Sequence, residues 1–216
     1  MSEEPQMKLI QKGAEAELFL DEWHGLKVVR KVRVPKRYRI SSLDLELRRT
    51  RTTHEAWIMH EAKKAGVATP IIYLVNLEMN EIVMQYIEGS RLREFLEDAD
   101  TEARIRFCSR LGEAIGRLHN IGIVHGDLTT SNAIVKESKI FLIDFGLAEY
   151  SRELEKKGID LLLGQRVFHS THHAYGTPCY AAFLKGYGEQ VGQDVADQVE
   201  DRVKDIARRG RYAIER

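Results

Sequence analysis

Three polar residues in the middle of the chain have types and spacing suited to phosphate chemistry. Asp127 is followed five positions later by Asn132, and Asp144 comes twelve positions after Asn132. Transfer of a phosphoryl group needs a carboxylate that accepts or orients the proton of the nucleophile. It also needs oxygen ligands that hold Mg²⁺ against the phosphates of ATP. Asp127 suits the first task, and Asn132 and Asp144 suit the second.

The segments around these residues predict a hairpin with polar residues at its loop ends. Residues 133–135 and 140–143 are apolar, strand-like runs. The motifs His-Gly-Asp-Leu-Thr-Thr-Ser-Asn at 125–132 and Asp-Phe-Gly at 144–146 resemble the catalytic loop and the metal-binding turn of protein kinases. A lone Asp-Phe-Gly is weak evidence, but the two motifs in this context indicate kinase-type phosphate chemistry.

Three short strands are predicted near the N-terminus, at residues 8–12, 17–21 and 26–34. In kinases, the turn between the first two strands covers the phosphates of ATP with backbone N–H groups. Here that turn has a single glycine, and taken alone it is explained equally well as an ordinary hairpin. The candidate turn consists of Gly13, Ala14, Glu15 and Ala16.

The third strand supplies the candidate cation for the phosphates. Strand alternation places Lys31 and Arg33 on one face and Arg30 on the other. We favour Lys31, because the chemistry needs a compact ammonium group, and Arg30 stays open as the alternative.

A long helix is predicted at residues 41–65. Glu55, near its middle, is the best candidate to pair with Lys31 and hold it toward phosphate. A surface pairing of Glu55 with Arg51 is the structural alternative, and Glu61 is a rival acid nearer the helix end.

Two further strands, at residues 71–76 and 81–86, lead into a segment that resembles the hinge between kinase lobes. There, backbone groups of Gln85 and Ile87 are expected to hydrogen-bond adenine. The remaining pattern predicts helices at residues 91–99, 101–121, 152–166 and 187–209.

Composition bounds the class of protein. The chain has 216 residues, with 43% hydrophobic and 31% charged residues, which is typical of a soluble protein of one large domain or two small lobes. No apolar run approaches membrane-spanning length, and no signal peptide is recognised. Cys108 and Cys179 are read as reduced thiols, so a cytoplasmic protein is expected.

The formal net charge is zero, but the basic residues are clustered. One cluster falls within residues 27–39 and the other within residues 202–216. Such runs are usually solvated surface. Two of them on a neutral chain nevertheless suggest the hypothesis of an anionic binding partner such as RNA.

Several features were weighed as structural rather than catalytic. His125 is expected to pack beneath the loop at 125–132. Gly126 occupies the position where many kinases have an arginine that binds the phosphate of a phosphorylated activation loop. The segment 176–180 resembles the end of a kinase activation segment only superficially. A zinc set of His169, His172, His173 and Cys179 matches no standard spacing.

The motifs along the whole chain resemble those of the small atypical kinases of the KEOPS complex, the PRPK-type family. The resemblance implies an α+β, minimal protein-kinase-like fold of two lobes, residues 1–86 and 87–216, with a basic tail at about 208–216. The matching stretches are residues 13–16, 31–39, 43–44, 51–55, 66–70, 125–129, 160–161, 170–172 and 208–212.

The resemblance also implies an activity and partners. Family members hydrolyse ATP with Mg²⁺, can phosphorylate themselves on serine or threonine, and support the threonylcarbamoyladenosine modification of tRNA. The implied partners are the tRNA threonylcarbamoyl-transferase subunit of KEOPS, a small regulatory subunit on the N-terminal lobe, and tRNA, reached through the basic patches and the C-terminal tail.

Two rival functions remain. A small-molecule phosphotransferase of the aminoglycoside- or choline-kinase type also uses a His-Gly-Asp loop, but Phe145-Gly146 and the missing large substrate lobe speak against it. A non-catalytic scaffold that binds tRNA or a partner is disfavoured by the complete set of Lys31, Asp127, Asn132 and Asp144.

Overall fold

The computed structural model describes residues 7–212, with side chains to residue 209. Within those limits the chain forms two compact units, one of the residues up to His60 together with Pro70–Glu88, and one of Glu61–Thr69 together with the residues from Gly89 onward. The two lobes expected at 1–86 and 87–216 stay a prediction, and the structure groups residues 61–69 with the second unit. Residues 213–216 of the predicted basic tail lie outside the described residues.

A five-stranded antiparallel sheet forms most of the first unit, in the order β1-β2-β3-β5-β4. The third strand lies at its centre and is paired on both sides, so its backbone N–H and carbonyl groups are bonded within the sheet. The strands are β1 (Lys8–Lys12), β2 (Ala16–Trp23), β3 (Leu26–Arg33), β4 (Ile72–Asn76) and β5 (Glu81–Gln85).

The long helix α1 spans Ser41–Lys64, close to the predicted 41–65. One face of α1 is buried at helical spacing and carries Glu55, Ile58, Met59 and Ala62. Since a buried carboxylate is stable only when it is paired and hydrogen-bonded, the position of Glu55 requires cationic partners.

The second unit is mainly helical. Helices α3 and α5 pack at very close range, because an added side chain at Gly112 would meet the Phe183 carbonyl oxygen at 1.9 Å. The helices are α2 (Leu92–Asp98), α3 (Thr101–Asn120), α4 (Leu154–Thr171), α5 (Gly176–Val191) and α6 (Gln193–Tyr212).

Short strands and one helical turn carry the loops of interest in this unit. A 3₁₀ turn at Thr130–Asn132 follows β7, and a three-stranded sheet has the order β6-β8-β9. The predicted hairpin is present, with Ala133 opposite Leu142. The strands are β6 (Ser90–Arg91), β7 (Ile123–Val124), β8 (Ala133–Lys136), β9 (Lys139–Leu142) and β10 (Glu149–Tyr150).

The single helix predicted at residues 187–209 is wrong. The structure has two helices there, because Gly192 breaks the run with φ of 86°. Helix α5 begins already at Gly176, and Pro178 is tolerated since it lies in the first turn. The polar pattern continued across Gly192, so periodicity alone did not reveal the break. No helix within residues 7–212 is long and apolar enough to cross a membrane.

Candidate phosphate-transfer site

The loop between β7 and β8 brings Asp127 and Asn132 into contact. The Asn132 side-chain amide Nδ2 donates to Asp127 Oδ2 at 2.8 Å and to the Asp127 carbonyl at 2.9 Å. The 3₁₀ turn that ends at Asn132 closes the loop and aims the amide back at Asp127. This contact fixes one oxygen of the Asp127 carboxylate, so that Oδ1 is the oxygen placed to accept a proton.

The turn after β9 holds the third predicted residue, Asp144. Asp144 is exposed and has φ of 61°, a conformation that aspartate and asparagine adopt more readily than most residues. Its Oδ1 accepts a hydrogen bond from the Gly146 backbone N–H at 3.3 Å. The neighbouring Ile143 N–H donates to the Asn132 carbonyl at 2.9 Å, which ties this turn to the catalytic loop.

The donor set of Asn132 and Asp144 fits Mg²⁺. Because Asn132 Nδ2 donates to Asp127, its amide oxygen Oδ1 is the atom left for a cation. Asp144 adds an exposed carboxylate. Mg²⁺ typically takes one or two protein oxygens and completes its shell with phosphates and water. Bound there, the ion would neutralise charge on the phosphates of ATP.

Asp160 on α4 anchors the catalytic loop from beneath. Its Oδ2 accepts from the His125 backbone N–H at 2.7 Å, and its Oδ1 accepts from the Gly126 N–H at 2.9 Å. Asp160 is 1% exposed. No sequence pattern indicates this role of Asp160, because its partners are backbone groups more than thirty positions away.

His119 on α3 completes this buried anchor. Its Nε2 lies 3.2 Å from Asp160 Oδ2, and its Nδ1 lies 2.9 Å from the Tyr187 hydroxyl. Burial lowers the pKa of His119, so the ring is neutral and donates from Nε2 to the carboxylate. Burial pushes the pKa of Asp160 upward, but the hydrogen bonds from His119 and from the His125 backbone N–H outweigh it, and the pKa is lowered.

The free energy of unfolding is expected to fall as the pH drops below about 6.5, the ordinary pKa of histidine. The unfolded chain takes up a proton at His119 there, whereas the folded chain, with its lowered pKa, does not. His172, whose pKa is also lowered mainly by burial, acts in the same direction. Asp160, with its lowered pKa, adds a further loss in acid below about pH 3.9.

Urea unfolding at pH 7.5, 6.5 and 5.5 measures this dependence. A His119→Gln variant keeps a hydrogen-bonding side chain that does not titrate, so its stability is expected to fall less steeply over the same interval. Parallel curves for the variant and the wild type would mean that His119 does not carry the effect.

The rest of the loop is fixed by two further contacts. Thr130 Oγ1 lies 2.9 Å from His172 Nε2 at the end of α4, a contact that the sequence analysis missed. Gly126 has φ of 76°, and an added Cβ would lie 2.3 Å from the Leu147 carbonyl oxygen. A side chain at Gly126 is therefore excluded by the fold. His125 is fully buried, 4.9 Å from the Phe145 ring, as its predicted structural role requires.

Within the first unit, Lys31 and Glu55 form the predicted ion pair. Lys31 Nζ donates to Glu55 Oε1 at 2.6 Å. The other carboxylate oxygen accepts from the Arg33 guanidinium, also at 2.6 Å. The three side chains are only 2–8% exposed. Arg33 was placed on the correct strand face but was not recognised as a partner of Glu55.

The alternatives left open for this pair find other partners. Arg30, on the opposite face of β3, binds Asp21 at 2.5 Å and Glu81 at 3.0 Å. Arg51 pairs with Glu15 of the turn and not with Glu55. The geometry therefore favours Lys31 over Arg30 as the cation held by the helix.

The Gly13–Ala16 turn is tied to the same ion-pair network. Glu15 Oε2 lies 3.5 Å from Arg33, and its hydrogen bond to Arg51 lowers the pKa of the Glu15 carboxyl. Gly13 N–H donates to the Ala16 carbonyl at 2.9 Å, and Lys36 Nζ donates to the Ala14 carbonyl. Arg33 thus contacts both the candidate phosphate-covering turn and the glutamate that holds Lys31.

The predicted adenine-binding segment follows β5. The Gln85 N–H donates to the Ile71 carbonyl at 2.8 Å, so this N–H already has a partner within the protein. Ile87 is 4% exposed. Their contact with adenine stays a prediction.

Comparison with known proteins bears on these observations. The RIO domain family matches residues 25–155 of the chain. In fold, the chain is similar to the Rio2 kinase from Chaetomium thermophilum, solved as an ADP/Mg²⁺–phosphoaspartate complex. The TM-score is 0.65 at 16% identity, over 93% of this chain and 70% of that one. The predicted α+β, kinase-like fold is confirmed.

Two curated relatives match at higher identity. The KEOPS complex subunit Bud32 of Pyrococcus abyssi is 45% identical, over 95% of this chain and 96% of its own length. A probable bifunctional tRNA threonylcarbamoyladenosine biosynthesis protein of Methanothermobacter thermautotrophicus is 40% identical. That match takes in 94% of this chain but only 36% of the relative.

The fold and the RIO match define the chain as an atypical kinase of the phosphotransferase or ATPase class. Within that class, the chain belongs to the Bud32 family.

Proposed function

We propose that the chain is an Mg²⁺-dependent ATPase and atypical serine/threonine kinase that supports threonylcarbamoyladenosine modification of tRNA as the kinase subunit of a KEOPS complex. The observation that carries this proposal is an intact Asp127–Asn132 contact in a chain similar along nearly its whole length to a KEOPS subunit. A scaffold without catalysis has no need of that contact.

In the proposed reaction, Asp127 accepts or orients the proton of the nucleophile through Oδ1. Asn132 and Asp144 hold Mg²⁺, and Lys31, positioned by Glu55, stabilises charge on the ATP phosphates. The turn Gly13–Ala16 covers the phosphates, and the carbonyl of Gln85 and the N–H of Ile87 hold adenine. The acceptor is water or a serine or threonine hydroxyl, including one on the chain itself.

The proposed setting is cytoplasmic and within a complex. The transferase subunit of KEOPS and a small regulatory subunit on residues 1–86 are the protein partners. The tRNA is reached through the basic clusters and the tail at about 208–216. Similarity to a bifunctional tRNA threonylcarbamoyladenosine biosynthesis protein supports a close working relation with the modification reaction.

The test is ATP hydrolysis by the full chain alone, with the transferase subunit, and with tRNA added, each beside an Asp127→Asn variant. The transferase is expected to raise turnover by the wild type, and modified tRNA should form only when active chain is present. Equal tRNA modification with wild type and variant would refute the proposal. Phosphate transfer to aminoglycosides or choline, faster than hydrolysis, would replace it with the small-molecule kinase.

A further inference from the structure

A basic cleft of about 520 Å³ lies in the second unit, away from Asp127, Asn132 and Asp144, none of which lines it. Its walls come from the end of α1 and the loop after it, from α3, and from the turn between β8 and β9. Of the described residues that line it, four are cationic and one is acidic, on a chain whose formal net charge is zero. They are Lys63, Arg110, Arg117, Lys139 and Glu113.

Among the described residues, three of these cations have no acidic partner. Arg117 forms an ion pair with Glu113 at 3.3 Å. Within the described residues, no carboxylate lies at salt-bridge distance from Lys63, Arg110 or Lys139. Burial without a compensating carboxylate lowers the pKa of Lys63. An incoming anion would relieve this imbalance of charge.

Backbone carbonyls hold the cations in place. Lys63 Nζ donates to the Thr69 carbonyl at 2.8 Å, and Arg110 donates to the Ser138 carbonyl. Arg117 donates to the Gly66 carbonyl at 3.4 Å. The loop after α1 is also joined to strand β9, because the Leu142 N–H donates to the Ala68 carbonyl at 2.9 Å. The positive groups are therefore fixed before any ligand arrives, which lowers the entropy lost on binding.

The β8–β9 hairpin adds a second sign that charge is concentrated here. Lys136 and Lys139 stand directly opposite each other in its register. Like charges at such paired positions destabilise a hairpin. A ligand that neutralises Lys139 offsets that repulsion.

The lining chemistry selects the kind of anion. None of the described residues that line the cleft is aromatic, so no platform exists on which a base could stack. The cations stand on three separate elements rather than converging at one helix end. Cations on separate walls can contact successive phosphates along a backbone, which lysine and arginine bind without distinguishing the bases.

We propose that this cleft binds the phosphodiester backbone of RNA. The choice of RNA over other phosphate carriers rests on the proposed role in tRNA modification, whereas the phosphate chemistry rests on the cleft itself. The cleft is a docking surface and takes no part in ATP hydrolysis.

The test is binding of a fluorescent tRNA transcript to the full chain, without ATP, at several salt concentrations. Lys139→Glu is expected to weaken binding on the order of tenfold and to lower the slope of log affinity against log salt by about one. Lys185→Glu, at an exposed lysine of α5 outside the cleft, changes the net charge equally and is the matched control. Glu113→Gln removes the one acid of the cleft, so it is expected to tighten binding.

Several outcomes would overturn the proposal. Equal weakening by Lys139→Glu and Lys185→Glu would mean that only overall charge matters. Displacement of the transcript by inorganic pyrophosphate or by poly-glutamate, at the same phosphate or carboxylate concentration as by unlabelled RNA, would assign the cleft to a small anion or an acidic protein. Because Lys139→Glu should keep the basal ATPase rate, failure of the cleft is distinguishable from failure of the proposed enzyme activity.

Discussion

An Asp144→Asn variant is expected to hydrolyse ATP on the order of 10²- to 10³-fold more slowly than wild type, because the substitution removes the anionic ligand proposed for Mg²⁺. The amide keeps the shape of the side chain. Asparagine also tolerates the φ of 61° at this position, which alanine would not. The loss should therefore reflect the metal and not the fold.

Two measurements separate these causes. The Mg²⁺ concentration that gives half-maximal hydrolysis should rise in Asp144→Asn, while the urea midpoint stays close to that of wild type. Glu137→Gln is the matched control, since Glu137 is also an exposed acid with positive φ, 54°, in a neighbouring turn. If Asp144→Asn kept the wild-type rate at limiting Mg²⁺, Asp144 would have no role as a metal ligand.

The residues that could be predicted from sequence are those whose partners are near in the chain or follow from strand and helix period. Asp127 and Asn132 are five positions apart, so their contact needs only one loop. Lys31 could be preferred over Arg30 because the chemistry needs a compact ammonium group. Alternation on β3 separates the two residues, and the structure places them against different acids.

The contacts that escaped prediction connect distant segments through groups that carry no pattern. Asp160 binds two backbone N–H groups, and backbone groups look alike in any sequence. His172 stands in a candidate zinc set and in a family-like stretch, and neither pattern indicates its hydrogen bond to Thr130 in the loop at 125–132. Arg33 lay among many basic residues, so a buried partner of Glu55 could not be told from a solvated cation.

The break at Gly192 shows a different limit. A glycine within a polar, helical pattern is tolerated in some helices and ends others, and the outcome depends on the backbone conformation that packing selects. Here the last turn of α5 lies close against α3, since an added Cβ at Gly116 would lie 2.6 Å from Gln190 Cβ, and α5 ends at the next residue, Val191. Local propensity alone carries no information on that contact.

A Glu55→Ala variant is expected to lose about 3–5 kcal/mol of unfolding free energy, the typical loss when one partner of a buried ion pair is removed. Two cations would remain behind, since Lys31 is 7% exposed and Arg33 is 4% exposed. Arg33 would keep its longer contact with Glu15, at 3.5 Å, and its bond to the Arg51 carbonyl, at 3.4 Å. Urea unfolding measures the loss, and Glu46→Ala, at an exposed acid of the same helix, is the matched control.

The same network is expected to affect catalysis through position. If Glu55 holds Lys31 toward phosphate, then Glu55→Gln, which keeps the shape but removes the charge, should reduce kcat/KM for ATP on the order of 10- to 100-fold. Arg33→Met should give a smaller reduction, because Lys31 Nζ keeps its 2.6 Å bond to Glu55 Oε1. A larger loss in Arg33→Met than in Glu55→Gln would instead make Arg33 the main phosphate-side cation. Full activity in both would show that the buried triad stabilises the fold alone.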